Sequence, residues 1–490
     1  MTVRATSCAR RASSLRPRRR GQRDDDGAVL VIVLAFVLIV GVMLTALLTE
    51  ARANFASISV TKASSSRVYA ANGGVEWGIQ ALRRGMVNNG SPVCATPSTV
   101  QDLGTMSING RNVSITCHVD SGQAPGAGGW AVFITDVNGS IRTQPGGSSA
   151  VKTISGPVYN GGGSDGWSFL SGTSLKVSDG DVVQKQATGC TAPGAALTIA
   201  PAPPYSFACR ANALPTPPPP IPISALPDLT NAPPRPTAGT TTGSCRVFTP
   251  GRYTARPQFL TTPGTSNYFR SGVYFLDDIY DLDMFGSIVG GIPAPGDDTL
   301  GSAQPCVTES AADTGGHYGV LFLLGGHSTI EVEHQAKVEL HGYLDPNQPN
   351  QPSVSVMQLQ STDGPHWAGH ACMGVGPTMW SLETALSSQA ELIVHGHIYS
   401  PTSRVSAYGA TGATVSLLGG VVAAGLDLQA NPLSGAANVS VKTNAGKRTV
   451  TLVATTDRIG SEKEISTTAT VDIVNDAART ATVQSWTVRN

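Results

Sequence analysis

Residues 390–401, AELIVHGHIYSP, and 413–425, ATVSLLGGVVAAG, decide how the rest of the chain is read. In each, a short aliphatic run stops at glycine and starts again, which suits buried strands separated by tight corners better than a helix. The same texture precedes them in SGVYFL (271–276), YGVLFLLGG (318–326), STIEVEH (328–334) and AKVELHGYL (336–344). Aligning Gly342, Gly396 and Gly420 gives intervals of 54 and 24 residues. One coil of a solenoid is expected between the last two, and two coils with an insertion between the first two. Each coil would bury its apolar face on its neighbours. A β-sandwich also fits regularly spaced strands.

Working outward, the expected solenoid takes in residues 151–435, with fragments such as ISGPVYNGG (154–162) and LKVSDGDVV (175–183). The Pro-rich stretch 199–238 cannot be a central strand, and an extended linker or loop is expected there. Residues 94–150 alternate as a small β subdomain, in MSINGRNVSITCHV (106–119) and WAVFITDV (130–137), and residues 436–490 read as terminal strands that pack with it or cap the solenoid. With 55 Gly, 33 Pro and only 13% charged residues in 490, the composition suits turns and short strands. The expected fold is mainly β: a right-handed parallel β-helix with an accessory β-sheet, behind one long N-terminal helix.

That helix is announced by residues 28–48, AVLVIVLAFVLIVGVMLTALL, which carry no charge over a length of about 31 Å, enough to cross a bilayer core. Before them, residues 1–26 hold eight Arg against three Asp, a local +5 in a chain whose formal net charge is zero. Arginines beside an apolar span act as a topology signal, so residues 1–27 are expected in the cytoplasm as a basic tail and the bulk outside, with the lipid bilayer as partner. No nucleic-acid partner is expected, because no aromatic interleaving accompanies the arginines. The helical spacing continues through Val75, Ile79 and Leu82 to about residue 84, where Gly73 and Gly74 weaken the helix by about 1 kcal/mol each unless tertiary contacts support it. Seven cysteines follow the span; proximity favours Cys94 with Cys117 and Cys190 with Cys209, and leaves Cys245, Cys306 and Cys372 open.

The charged tail, the glycine, the aliphatic run and RVYAANGGVEWGIQALRRG (67–85) together resemble the N-terminus of PilX-like type IV pilus assembly proteins and pseudopilins, over roughly residues 20–85. Ala70, Ala71, Gly74, Val75 and Glu76 match that family's pattern, whereas Asn72 and Gly73 depart from it. The resemblance implies a peptidase cut after Gly27, leaving Ala28 as the mature N-terminus, and partners among pilus or secretion-system subunits. The fifth mature residue would be Ile32 where major pilins carry Glu, which removes the counter-charge for a buried terminal amine. Residues 150–430 resemble the β-helical region of predicted bacterial surface and pilus-assembly-like proteins, in which GVY, GVxFxL and G-x-[IV]-Y-[SA]-P phrases recur in this order.

Candidate chemistry is sparse. Asp277, Asp278, Asp281 and Asp283 in DDIYDLD are hard oxygen ligands suited to Ca²⁺, without the glycine and final Glu of an EF-hand. If the solenoid cleaves carbohydrate, the same aspartates are the first acid–base candidates. His366, His370 and Cys372 in HWAGHAC are of zinc-ligand type but lack an HExxH pattern. His395 and His397 alternate on a strand and are expected on one solvent-facing side. No nucleophile elbow or phosphate loop is present, so a structural or adhesive role is expected rather than an enzyme, the alternative being a membrane-tethered protein that binds or degrades surface glycans.

Overall fold

The computed structural model describes residues 26–489 except 85–86, 89–90, 93, 95–99, 123–129, 137, 144–150, 164–165, 179, 187–191, 201–205, 218, 295–305, 307–308, 311, 346, 348–351, 364–366, 368–369, 371–379, 388, 411, 431–436, 443–447, 458–464 and 475–479. Two compact units divide at Ser66 and Arg67.

In the first unit, residues 26–66 are helical and belong to the helix Asp26–Arg84, which includes Gly27 and Ala28. Leu30, Phe36 and Leu48 are each about two-thirds exposed. A helix this apolar with no packed face suits lipid rather than water, and it is long and apolar enough to cross a membrane. Its hydroxyls are satisfied internally, as an apolar medium requires: Thr45 donates to the Gly41 carbonyl (2.7 Å) and Thr49 to that of Thr45 (2.8 Å).

In the second unit, the rest of the helix packs on a five-stranded antiparallel sheet through Ala70, Val75, Ile79 and Leu82. Spatially the sheet runs Gln101–Ile108, Arg111–Gly122, Arg448–Thr456, Ser466–Val474, Thr480–Arg489. Period-two alternation sends Val113, Ile115, Cys117, Val450, Leu452 and Ala454 to the helix. Gly74 lets the two surfaces meet, since a Cβ there would stand 2.7 Å from Val113 Cγ1 and 2.9 Å from Ala454 Cβ. Asn72 accepts hydrogen bonds from Thr467 Oγ1 (3.0 Å) and Trp486 Nε1 (3.2 Å), tying the helix to the last two strands. A Cys94–Cys117 disulfide joins the segment after the helix to this sheet.

The remaining strands form parallel stacks. The first runs, in spatial order, Cys245–Phe248, Ser266–Phe269, Ser287–Gly290, Lys337–Leu340, Glu391–Val394, Thr414–Leu417, Asn438–Lys442, Val151–Ser155, Leu175–Ser178, Leu197–Ala200, with Thr240–Thr242 antiparallel at its edge. A second begins at Gly251–Tyr253 and proceeds through Gly272–Asp277, Val320–Gly325, Val354–Gln358, His397–Gly409, Val421–Ala430, Val132–Ile134, Val158–Asn160 and Val182–Lys185 to Phe207–Arg210. A third branches from it through Leu282–Met284, Ile330–His334, Trp380–Leu386 and the later halves of His397–Gly409 and Val421–Ala430 to Ile141–Thr143 and Trp167–Phe169. Inward residues of all three, among them Phe269, Phe322, Ile330, Leu392 and Leu426, share one core.

Several expectations need correction. The strands do not stack in simple chain order: the chain enters mid-stack at Val132–Ile134, builds outward to Phe207–Arg210, and then returns to the opposite end. Residues 211–238, expected as an extended linker or loop, are a loop that makes that return packed on the outer face of the second stack rather than a free linker. Ile221, Ile223 and Leu226 bury beside Phe275, Leu321 and Tyr399. Tyr159 Oη accepts from the Leu214 N–H (2.9 Å), Tyr399 donates to the Pro217 carbonyl (3.1 Å), and the Arg235 N–H donates to the Arg252 carbonyl (2.7 Å). Between Leu214, at the strand of Tyr159, and Arg235, at that of Arg252, the path spans seven strand spacings, about 34 Å. Proline suits it because an extended chain crossing strands needs few N–H donors. Residues 199–200 and 207–210, expected within the Pro-rich insertion, are instead edge strands.

The expected 94–150 subdomain divides, residues 101–122 joining the antiparallel sheet while 132–134 and 141–143 join the parallel stacks. The 436–490 tail divides likewise between Asn438–Lys442 and the antiparallel strands. Gly342 and Gly396 lie on adjacent strand layers, not two apart, because Leu340 pairs directly with Val394 and the 54-residue interval is one long detour. Both must be glycine: a Cβ on Gly342 would stand 2.6 Å from Gly396 Cα.

Candidate metal centre and carboxylate face

Strands Lys337–Leu340 and Glu391–Val394 pair in parallel with Glu339 opposite Ile393 and Leu340 opposite Val394. Val338, Leu340, Leu392 and Val394 enter the core, so alternation turns Glu339, His341 and His395 the other way and brings them together. Glu339 Oε1 lies 3.0 Å from His395 Nε2 and 3.7 Å from His341 Nε2, and the two imidazoles stack at 4.7 Å. All three side chains are buried, with residue exposures of 8, 4 and 4% for Glu339, His341 and His395. Burial, with His395 alongside, pushes the His341 imidazole down to about 4 against the opposing pull of Glu339. One ligand-type atom from each residue falls within 4.8 Å of the other two, a spacing able to hold a metal ion.

His395 and His397, expected on one solvent-facing side, are both buried and turned apart. Gly396 is a corner between two stacks, so strand alternation does not carry across it. His397 Nδ1 meets the Gly420 carbonyl at 2.8 Å, and burial pushes this ring also down to about 4.

The four aspartates of DDIYDLD do not converge. Asp277 accepts from Arg252 Nε (2.8 Å) and contacts His370 Nδ1 (2.9 Å); Asp278 accepts from the His327 N–H (2.9 Å) and contacts its Nδ1 (2.7 Å). Asp283 pairs with Arg256 (2.8 Å), and Asp281 accepts from Thr329 Oγ1 (3.0 Å). The separation follows from positive φ at Asp278 and Asp281, which turns the chain between the second and third stacks. His366 and Cys372 lie outside the described residues, as does Cys190. Cys209 is disulfide-bonded. Cys245 pairs with Cys306, a connection that spacing left open.

Asp281 and Asp283 instead join a wider set on the outward face of the third stack. Register places Asp283, Glu331 and Glu383 side by side on successive strands, with Glu333 two residues along from Glu331. Burial first, then hydrogen bonding with Glu333 and the charges of Glu333, Asp281 and Glu383, push the Glu331 carboxyl up to about 8. Tyr280, Trp380, Asp281, Glu331 and Glu383 line a cleft of about 110 Å³. Beside it the buried Arg404 pairs with Asp427 and lies 5.7 Å from the Trp380 ring centre. Sequence reasoning missed Glu331, Glu383, Glu339 and His341. Alternating acids in IEVEH and a Glu–x–His in VELH mark outward strand positions, but only register shows which of them meet.

The chain matches no protein-family model, no curated protein and no solved structure.

Proposed function

We propose that this is a membrane-anchored surface protein, pilin-like at its N-terminus, that displays a right-handed β-solenoid outside the cell in a structural or adhesive role. The observation that carries the reading is a single helix, Asp26–Arg84, whose early turns suit only an apolar solvent and whose last turns are the core of an antiparallel sheet. The arginines before residue 27 orient the span with its N-terminus inside. The parallel stacks with one shared core support the solenoid, whose coils close on one another without a free edge except at the ends. Pilus or secretion-system subunits are the partners that the pilin-like helix implies.

Protease treatment of intact cells checks the topology: residues beyond about 67 should be shaved while the basic tail stays protected, and a protected carboxyl-terminal half would overturn the reading. Mass determination of the mature N-terminus separates processing at Ala28 from an uncut anchor.

A second reading, binding or cleavage of surface glycans, is favoured by the carboxylate face. There Glu331 holds its proton near neutrality while Arg256 pairs with Asp283, the division of labour that a general acid and its charged partner require. Ca²⁺ held by Asp281 and Asp283 belongs to this reading. New reducing ends from cell-wall or capsular glycans, abolished by Glu331→Gln or Asp283→Asn, would make it an enzyme; retention of glycan without turnover would make it an adhesin.

A further inference from the structure

We propose that Glu339, His341 and His395 form a site for Zn²⁺ that ties two adjacent coils of the first stack together. One carboxylate and two imidazoles are a ligand set that suits zinc, with a fourth position left for water. Ligand atoms around a tetrahedral zinc with bonds of about 2.0–2.1 Å stand roughly 3.3 Å apart. The spacings from Glu339 Oε1, 3.0 Å to His395 Nε2 and 3.7 Å to His341 Nε2, bracket that value. Ca²⁺ and Mg²⁺ prefer all-oxygen shells and match the set poorly.

The burial of Glu339 favours a cation here. Glu339 is a buried carboxylate whose ion-pair partners among the described residues are these two imidazoles, and a cation held between the three groups would offset the cost of burying its charge. Among the described residues, Nδ1 of His341 is buried with no hydrogen-bond partner, so the ring's polar contact is made through Nε2, which faces Glu339. The location supplies a purpose. Glu339 and His341 come from one coil and His395 from the next, and the paired residues Glu339 and Ile393 are 54 positions apart where the following pair, Ile393 and Ser416, are 23 apart. The ion therefore bridges the two strands between which the chain makes its long detour.

The test uses the untagged full-length chain in detergent, dialysed against Zn²⁺ with elemental analysis, and then against Co²⁺. Wild type is expected to hold one more equivalent of Zn²⁺ than Glu339→Gln or His395→Gln, each at least about 100-fold weaker at this site, while His370→Ala retains it. Bound Co²⁺ should give the intense visible absorption of a four-coordinate ion. Equal zinc content in wild type and both folded variants would overturn the proposal. Should the variants fail to fold, the wild-type Co²⁺ spectrum decides: a weak, six-coordinate spectrum sinks the site.

Discussion

In the parallel stacks most strands meet a neighbour nearby in the chain, as Thr414 meets Asn438 after 24 residues, and long-range pairs such as Val421 with Val132 fall at the mid-stack junction, whereas in the antiparallel sheet Leu452 faces Cys117 across 335. The stacks repeat one local solution, so their core is spread over many strand layers, each adding a few inward side chains. The antiparallel sheet closes only when both ends of the chain are present, and its core rests on one helix face and the nearest strands. Contacts of such separation are slow to form because loop closure precedes any reward. Redundancy protects the first region, and fit at a few positions decides the second.

The largest expected effect would blur that contrast, because it strikes the stacks at a position where redundancy gives no protection. Gly342→Val places side-chain atoms against the Gly396 backbone, which cannot yield as a side chain can, and should destabilise by roughly 3 kcal/mol or more in urea unfolding. An unchanged midpoint would mean the strand layers are not held at glycine contact distance.

Acid should loosen the stacks next. Native His397 refuses its proton until about pH 4, whereas the unfolded chain accepts one near 6.5, so unfolding takes up a proton between those values. The contribution is complete above pH 6.5 and lost as pH falls to 4, roughly 3 kcal/mol in total. Replacing His397 by Gln should flatten the slope of stability against pH in that window, whatever it does to stability at pH 8.

The smallest effects sharpen the picture of the helix–sheet contact. Gly74→Ala gains helix propensity of about 1 kcal/mol but drives its methyl into Val113 and Ala454, for a net loss of about 1–2 kcal/mol. Gly73→Ala meets only the pliant Ile108 side chain at 3.3 Å and should be neutral or stabilising by up to about 1 kcal/mol. Thermal unfolding of the pair checks the difference; equal shifts would show that the helix does not sit on the sheet by its Gly74 face.

Asn72 shows how a residue that interrupts a resemblance becomes intelligible only with partners in view. As a letter it breaks a pattern; in the fold it receives Thr467 and Trp486. The candidate site was less legible. DDIYDLD drew notice because four acids are adjacent in sequence, yet backbone turns at Asp278 and Asp281 scatter them. Glu331 and Glu383 are 52 residues apart and meet because strand register makes them neighbours.

The sequence by itself determined the apolar span, the charge asymmetry beside it, the β-rich body and its glycine-ended strands. These follow from local composition and short-range periodicity, which need no knowledge of the partner. Only the tertiary structure decided that the strand order reverses mid-stack, that the Pro-rich stretch is a return path over an apolar face, and that Glu339 and His341 find His395. Pairing across dozens or hundreds of residues is chosen by the burial of whole faces against one another, a collective free energy that no local stretch contains.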